Sequence, residues 1–185
     1  MRAVIADDNL LVRAGISALL RDAGVEVAGE ASSADELLRE VDEHVPDVAI
    51  VDIRMPPTHT DEGLRAAQEI RARHPEMAIV ILSEHLEAGI ATRVLAESPE
   101  RLGYLLKQRV TDTADFVGTL RRVAAGGSVL DPDVVHWMFG RKRVTSRLAE
   151  LTPRELEVLT LVAEGCSNQA VADRLVVASA RSRST

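Results

Sequence analysis

Five polar residues stand directly after, or end, short apolar runs that are far apart in the chain: Asp7, Asp8, Asp52, Ser83 and Lys107. Three carboxylates that lie close together repel one another unless a cation joins them. Mg²⁺ is the natural partner because it takes hard oxygen ligands. A carboxylate beside Mg²⁺ can attack a phosphoryl group, and a lysine and a hydroxyl can bind the phosphoryl oxygens. These residue types therefore predict phosphoryl chemistry, provided that the fold brings them together.

The segments around these residues alternate between strand-like and helical patterns five times in the first 125 residues. Such alternation predicts an α/β fold with a parallel sheet and helices on both faces. Right-handed crossovers place the carboxyl ends of all strands at one edge, where sites form. The predicted strands are 3–6, 25–31, 48–52, 77–82 and 102–106, and the predicted helices are 10–23, 33–44, 61–73, 85–97 and 111–125.

Composition limits the other classes of function. The chain has 185 residues, of which 46% are hydrophobic and only 2% aromatic, so an aliphatic core is expected. No apolar run approaches the roughly 20 residues of a membrane span, no secretion leader is evident, and the single Cys166 fits a reducing cytoplasm. The net charge is −7, yet residues 141–185 hold eight basic and five acidic groups. An acidic body with a basic C-terminal piece suggests two modules.

The positions at the predicted strand ends resemble a known family. They are Asp7-Asp8, Asp52 with Met55-Pro56, Ser83 and the run Gly103-Tyr104-Leu105-Leu106-Lys107. In this order and spacing they resemble the receiver domain of two-component response regulators over residues 1–125. The resemblance implies a flavodoxin-like, doubly wound sheet of five parallel strands in the order 2-1-3-4-5.

The resemblance also implies a role for each site residue. Asp52 is the implied phosphoacceptor, and a sensor histidine kinase is the implied donor. The implied Mg²⁺ ligands are Asp7, Asp8, Asp52 and the backbone carbonyl of Arg54. The implied phosphoryl-binding and switch residues are Ser83, Lys107 and Tyr104, the last being an aromatic that repositions when Ser83 is recruited.

Several of these residues also have plainer interpretations. Ser83 could cap the helix that follows it, a role that is compatible with switching. Tyr104 could serve packing alone. His85 could shape water access to the site, although an ordinary surface position is the simpler reading. The family often has proline after the lysine, whereas Gln108 follows Lys107 here.

The C-terminal part resembles a second family. Residues 126–150 are predicted to form a linker that contains a short helix beginning at Asp131-Pro132. A helix is predicted to begin next, with Thr152 as its N-cap and Pro153 as its first residue. Glu155 follows at the third position, the spacing of a capping box. The words LTPRELEVL, AEG and SNQAVADRL resemble the LuxR-type helix-turn-helix of NarL/FixJ-family regulators over residues 151–177.

The resemblance ends before the groove-reading helix that this family would place next. We therefore expect residues 151–185 to be a truncated, partial all-α helix-turn-helix domain without an intact DNA-binding surface. Arg181 and Arg183 remain as residual candidates for contacts with phosphates.

Together these features predict a cytoplasmic two-component response regulator of the NarL/FixJ type. Phosphorylation of Asp52 is expected to control homodimerisation and transcription. DNA is the expected partner of a full-length protein that includes the groove-reading helix. The alternative is a phospho-accepting interaction module that does not bind DNA because the reading helix is missing. A phosphatase that uses an aspartate nucleophile would need a second acid two residues later, where Arg54 stands. No enzymatic activity beyond slow self-dephosphorylation is therefore expected.

Overall fold

The computed structural model describes residues 1–85 and 100–136, which belong to one compact unit, Met1–His136. The predicted helix over 85–97 lies outside the described residues except for His85, and so do the predictions for 151–185, including Arg181 and Arg183. The strands are β1 (Arg2–Ala6), β2 (Glu26–Ala31), β3 (Val48–Asp52), β4 (Ala78–Ser83), β5 (Leu102–Leu106) and β6 (Ser128–Leu130). The helices are α1 (Leu10–Asp22), α2 (Ala34–His44), α3 (Glu62–Arg73) and α4 (Thr113–Ala124), with a 3₁₀ turn at Lys107–Thr111.

The six strands form one parallel sheet in the order β2-β1-β3-β4-β5-β6. The predicted parallel α/β fold and the order of its first five strands are confirmed. The sixth strand departs from the prediction, which placed residues 126–150 in a linker. Ser128 pairs with Leu102, and the Asp131 N–H donates to the Tyr104 carbonyl at 2.7 Å, so the chain continues the sheet after the turn at Gly126 and Gly127.

The central strands are apolar because helices cover both of their faces. Every residue of β3, β4 and β5 is buried, and β-branched residues dominate β3 and β4. One layer of the core joins these strands to α1 and α4 through side chains such as Ile16, Ile50, Val80, Phe116 and Leu120. This two-sided burial fixes the position of the strand ends that carry the candidate site.

Side-chain caps fix where the helices begin. The Asn9 side chain accepts from the N–H groups of Leu11 and Val12, so α1 starts directly after the Asp7-Asp8 pair. The cap of α2 is Ser33, because its Oγ accepts from Glu36 N at 3.3 Å. The Glu36 carboxylate reaches back to the N–H and hydroxyl of Ser32, which lowers the pKa of Glu36.

The edge strand β2 carries an irregularity. Ala3 pairs with Val27, whereas the next residue, Val4, pairs with Gly29, so one extra residue is inserted in β2. Such a β-bulge locally breaks the ladder and increases the twist of the strand. Within the described ranges, the helices are too short or too polar to cross a membrane.

Candidate functional site

Three carboxylates meet at the carboxyl edge of the sheet. Asp7 and Asp8 follow β1 and Asp52 ends β3, and oxygen atoms from all three lie within 4.8 Å of one another. Asp7 and Asp52 are buried, at 1% and 5% exposure, whereas Asp8 faces solvent. The parallel pairing of β1 with β3 causes this meeting, because it places Ala6 beside Val51 just before the acids. The structure therefore brings together the three acids that the sequence singled out.

Lys107, the first residue after β5, completes this cluster. Its Nζ lies 2.8 Å from Asp7 Oδ2 and 3.1 Å from Asp52 Oδ1. The lysine side chain is only 14% exposed, so the two ion pairs are largely shielded from water. One ammonium thus bridges two of the three carboxylates, and the cluster keeps an excess of negative charge.

Burial and neighbouring charges shift the acidity of the site. Burial raises the pKa of Asp52 to about 6, and the Asp7 carboxylate adds to that rise while Lys107 opposes it. For Lys107, burial opposes the charged form, but the hydrogen bond to Asp7 and the charge of Asp52 raise its pKa overall. Lys107 is therefore charged, and Asp52 ionises less readily than an exposed aspartate.

This acidity gives a testable pH dependence. Because the pKa of Asp52 is higher in the folded than in the unfolded chain, its ionisation reduces stability as pH rises from about 4 to about 6. Asp52→Asn is therefore expected to raise the free energy of unfolding by about 1–2 kcal/mol at pH 8 without metal, and by about half of that at pH 5. Urea denaturation of both chains across this range measures the difference, and a difference that does not vary with pH would contradict the assignment.

The remaining predicted residues lie around the cluster. Ser83 ends β4, is buried, and its Oγ donates to the His85 carbonyl at 2.6 Å. The Tyr104 side chain is buried in β5, where its backbone pairs with Ile81. Arg54 follows β3 and its side chain is exposed. His85 is also exposed.

A cavity of about 330 Å³ opens above the carboxylates. Its walls come from the loops after β1, β3, β4 and β5, which are the loops that carry the predicted residues. The lining residues are Asp8, Asn9, Asp52, Ile53, Arg54, His59, Ser83, Glu84, His85 and Lys107. A cavity of this kind can admit a small anionic group beside Lys107, and its carboxylate oxygens are the donors that Mg²⁺ prefers.

His59, in the loop after β3, lines the cavity and was not predicted as a site residue. Its Nδ1 lies 3.3 Å from Asp8 Oδ2, and its backbone adopts a left-handed φ of 54°. The His59 N–H donates to the Met55 carbonyl at 3.0 Å, which holds this conformation. No spacing in the sequence indicates this contact, because it depends on the path of the loop.

Glu62, at the start of α3, organises the same loop. Its buried carboxylate accepts from the hydroxyl and the N–H of Thr58 and from the N–H of Thr60. The Thr58 hydroxyl is the largest contribution to a fall in the pKa of Glu62 to about 2. Glu62 therefore remains ionised at pH values where Asp52 is protonated, and the loop keeps its hydrogen bonds.

Comparisons with known families cover both parts of the chain. The pattern of the response regulator receiver domain matches residues 3–114. The pattern of bacterial regulatory proteins of the luxR family matches residues 149–180. The first match contains every candidate site residue described above, and the second covers much of the segment that the sequence related to a helix-turn-helix.

Individual relatives agree with these matches. The response regulator protein VraR of Staphylococcus aureus (strain Mu3 / ATCC 700698) is 32% identical over 174 residues, which span 93% of this chain and 80% of that protein. A crystal structure of a LuxR-family two-component response regulator from Aurantimonas sp. SI85-9A1 has a TM-score of 0.65 at 28% identity, covering 77% of this chain and 97% of that one. A Salmonella typhimurium RcsB response regulator, described for its conformational dynamism in DNA interaction, has a TM-score of 0.63 at 29% identity, covering 95% and 83%.

Proposed function

The chain belongs to the two-component response regulators of the LuxR family, and from that premise we propose that Asp52 accepts a phosphoryl group from a phosphohistidine of a sensor kinase. One observation carries the assignment. Asp7 and Asp52 are both buried and both contact Lys107, at 2.8 Å and 3.1 Å, but of these two carboxylates only Asp52 lines the cavity. A nucleophile needs this combination of a cationic neighbour and an opening to solvent.

The transfer would exchange one bond to phosphorus for another. A carboxylate oxygen of Asp52 attacks the phosphorus atom, an O–P bond forms and the N–P bond to the donor imidazole breaks. The electron pair of the broken bond returns to the imidazole nitrogen, and because the other ring nitrogen of the phosphohistidine carries a proton, the donor leaves as neutral histidine. Lys107 lies within reach of the incoming oxygens because it already contacts Asp52, and its charge stabilises them.

Asp7, Asp8 and Asp52 would hold Mg²⁺, with the backbone carbonyl of Arg54 as a further oxygen ligand. The donor set fits this ion, since it consists of three clustered carboxylates and the Lys107 ammonium pairs with only two of them. When bound, Mg²⁺ supplies charge neutralisation for the phosphoryl oxygens. Asp7 and Asp8 would hold the ion from the end of β1, and Asp52 would share it from the end of β3.

Ser83 and Tyr104 would register the modification. The Ser83 hydroxyl now donates to the His85 carbonyl, so binding a phosphoryl oxygen instead would release that carbonyl and shift the loop after β4. Tyr104 is buried in the neighbouring strand and would follow this shift. Phosphorylation can shift the equilibrium between an inactive and an active conformation only if the phosphoryl group makes more favourable contacts in the active one.

The output would be transcriptional control through a homodimer. The match of residues 149–180 to the luxR family supports DNA as the partner, as does the similarity to RcsB, a regulator studied for DNA interaction. These findings favour a DNA-binding regulator over the alternative of an interaction module without DNA binding. The family consists of regulators, and the proposed chemistry requires a single phosphoryl transfer to Asp52 without turnover of a substrate.

The test is phosphoryl uptake from acetyl phosphate with Mg²⁺. The full chain should gain one phosphoryl group by intact-mass spectrometry, whereas Asp52→Asn should gain none. Asp35→Asn, at an exposed position of α2, is the matched control and should behave as the parent. Uptake by Asp52→Asn at the parental rate would refute the proposal.

A second measurement separates uptake from switching. Beryllofluoride with Mg²⁺ mimics a phosphoryl group without a transfer step, and it should increase the sedimentation coefficient of the parent by promoting dimers. Asp52→Asn should show no such increase. Unchanged sedimentation of a parent that does take up phosphate would count against the homodimer.

A further inference from the structure

Arg13 connects the Asp7-Asp8 segment to the neighbouring strand β2. It lies on the first turns of α1, and its Nη1 donates to the Asp7 carbonyl at 2.5 Å. Its Nε lies 3.6 Å from Glu30 Oε2 on β2, and the arginine side chain is only 14% exposed. A single guanidinium thus bridges the backbone of the Asp7-Asp8 pair and a carboxylate on the adjacent strand.

Glu30 is itself held in place by α1. Its Oε1 accepts from the buried Ser17 hydroxyl at 2.7 Å and from Arg21 Nη2 at 3.2 Å. Arg13 is therefore anchored to a fixed carboxylate, and it passes that restraint on to the peptide that joins Asp7 to Asp8. The Asn9 N–H fixes the Asp7 side chain from the other side, donating to Oδ1 at 2.9 Å.

The restraint opposes a force that is present in the site. Asp7, Asp8 and Asp52 carry like charges within 4.8 Å, so without a bound cation they tend to separate. Asp8 is the one acid of the three that faces solvent, and its carboxylate contacts His59 in a loop. A rigid, planar guanidinium that holds the Asp7 carbonyl limits this movement, whereas a flexible ammonium would hold it less well.

The positive charge of Arg13 bears on Mg²⁺ binding. A cation this close to a Mg²⁺ site would weaken metal binding by simple repulsion. Glu30 offsets that charge, so the guanidinium can hold the backbone without a large electrostatic penalty.

We propose that Arg13 is a positioning residue, which holds the Asp7-Asp8 peptide so that both carboxylates face Mg²⁺. This inference rests on the proposed function, because it assumes that the cluster binds Mg²⁺. It adds a residue that contacts neither the metal nor the phosphoryl group and acts through the Asp7 backbone. Partners of this outer kind commonly contribute 10- to 100-fold to metal affinity.

The experiment measures Mg²⁺ affinity of the full chain by isothermal titration calorimetry at pH 7.5. Arg13→Gln should bind Mg²⁺ about tenfold more weakly than the parent, although loss of a positive charge would by itself tighten binding. Arg13→Lys should recover part of the affinity. Arg21→Gln is the matched control, because Arg21 contacts the same Glu30 but not Asp7, and it should bind within about twofold of the parent.

The outcomes separate the possible failures. If Arg13→Gln binds as tightly as the parent or more tightly, the positioning role is overturned while the proposed function stands. If the parent itself does not bind Mg²⁺, both fail. Should Arg13→Gln fold poorly in urea denaturation, Arg13→Lys keeps the positive charge but loses the planar guanidinium, and it should still bind Mg²⁺ more weakly than the parent; unchanged affinity in that folded variant overturns the inference as well.

Discussion

Replacing Gly63 with alanine is expected to lower the free energy of unfolding by about 3 kcal/mol. Gly63 is in the first turn of α3, and its N–H donates to the Ile53 carbonyl at 2.9 Å. A Cβ at this position would lie 1.7 Å from the backbone oxygen of Asp52. Backbone atoms cannot turn aside as a side chain can, so α3 must withdraw from β3. The substitution should also weaken Mg²⁺ binding, because the displaced backbone carries Asp52.

Urea denaturation followed by circular dichroism measures the loss, and hydrogen exchange locates it in β3 and α3. Gly15→Ala is the matched control: Gly15 is an exposed residue inside α1, and its Cβ would meet no atom within 4 Å. That variant should be more stable by about 0.5–1 kcal/mol, because alanine is the better helix former. Equal changes in the free energy of unfolding for the two substitutions would contradict the close packing of Gly63 against the Asp52 backbone.

Replacing Asp131 with alanine should destabilise the same unit by about 3 kcal/mol, because it leaves buried donors without an acceptor. Asp131 is fully buried after β6. It accepts from the Leu106 N–H at 3.1 Å, from Asp133 N at 3.0 Å, and from Arg109 through Nε at 3.0 Å and Nη2 at 3.2 Å. Burial opposes ionisation of Asp131, but the Arg109 hydrogen bond and these N–H groups hold its pKa below the usual value. Its contribution is therefore present at neutral pH and is lost only in acid.

Asp133→Ala is the control for this prediction. Asp133 contacts the same Arg109 at 2.9 Å, but its side chain is 56% exposed, so the loss should not exceed about 1 kcal/mol. Both variants can be compared with the parent by urea denaturation at pH 7.5. A loss at Asp131 as small as that at Asp133 would mean that the buried N–H of Leu106 finds another partner.

Much of the fold could be predicted because its central strands, β3, β4 and β5, are fully buried. A run such as Val48–Asp52 is apolar throughout, since helices cover both faces of the sheet, and its ends are visible in the sequence. The grouping of Asp7, Asp52 and Lys107 followed from topology alone. Parallel strands connected by helices place all their carboxyl ends at one edge, whatever the details of packing.

The remaining features depend on contacts that a linear pattern does not contain. β6 has only three residues and exists because Ser128 is in register with Leu102 on β5. His59 reaches Asp8 through the path of a loop, and Arg13 reaches back from a helix to the carbonyl of Asp7. Each of these contacts needs the distance between two separate elements, which only the folded chain supplies.

The two edges of the sheet bear on how copies of this chain can associate. An edge strand with free N–H and C=O groups is a template for aggregation through added strands. Here one edge is β6, which is three residues long and is followed closely by Pro132, a residue without an N–H. The other edge is β2, whose bulge breaks the ladder and whose Glu26 and Glu30 carry charge. Concentrated solutions of this unit should therefore resist cross-β aggregation, and reversible self-association is left to the helical surfaces.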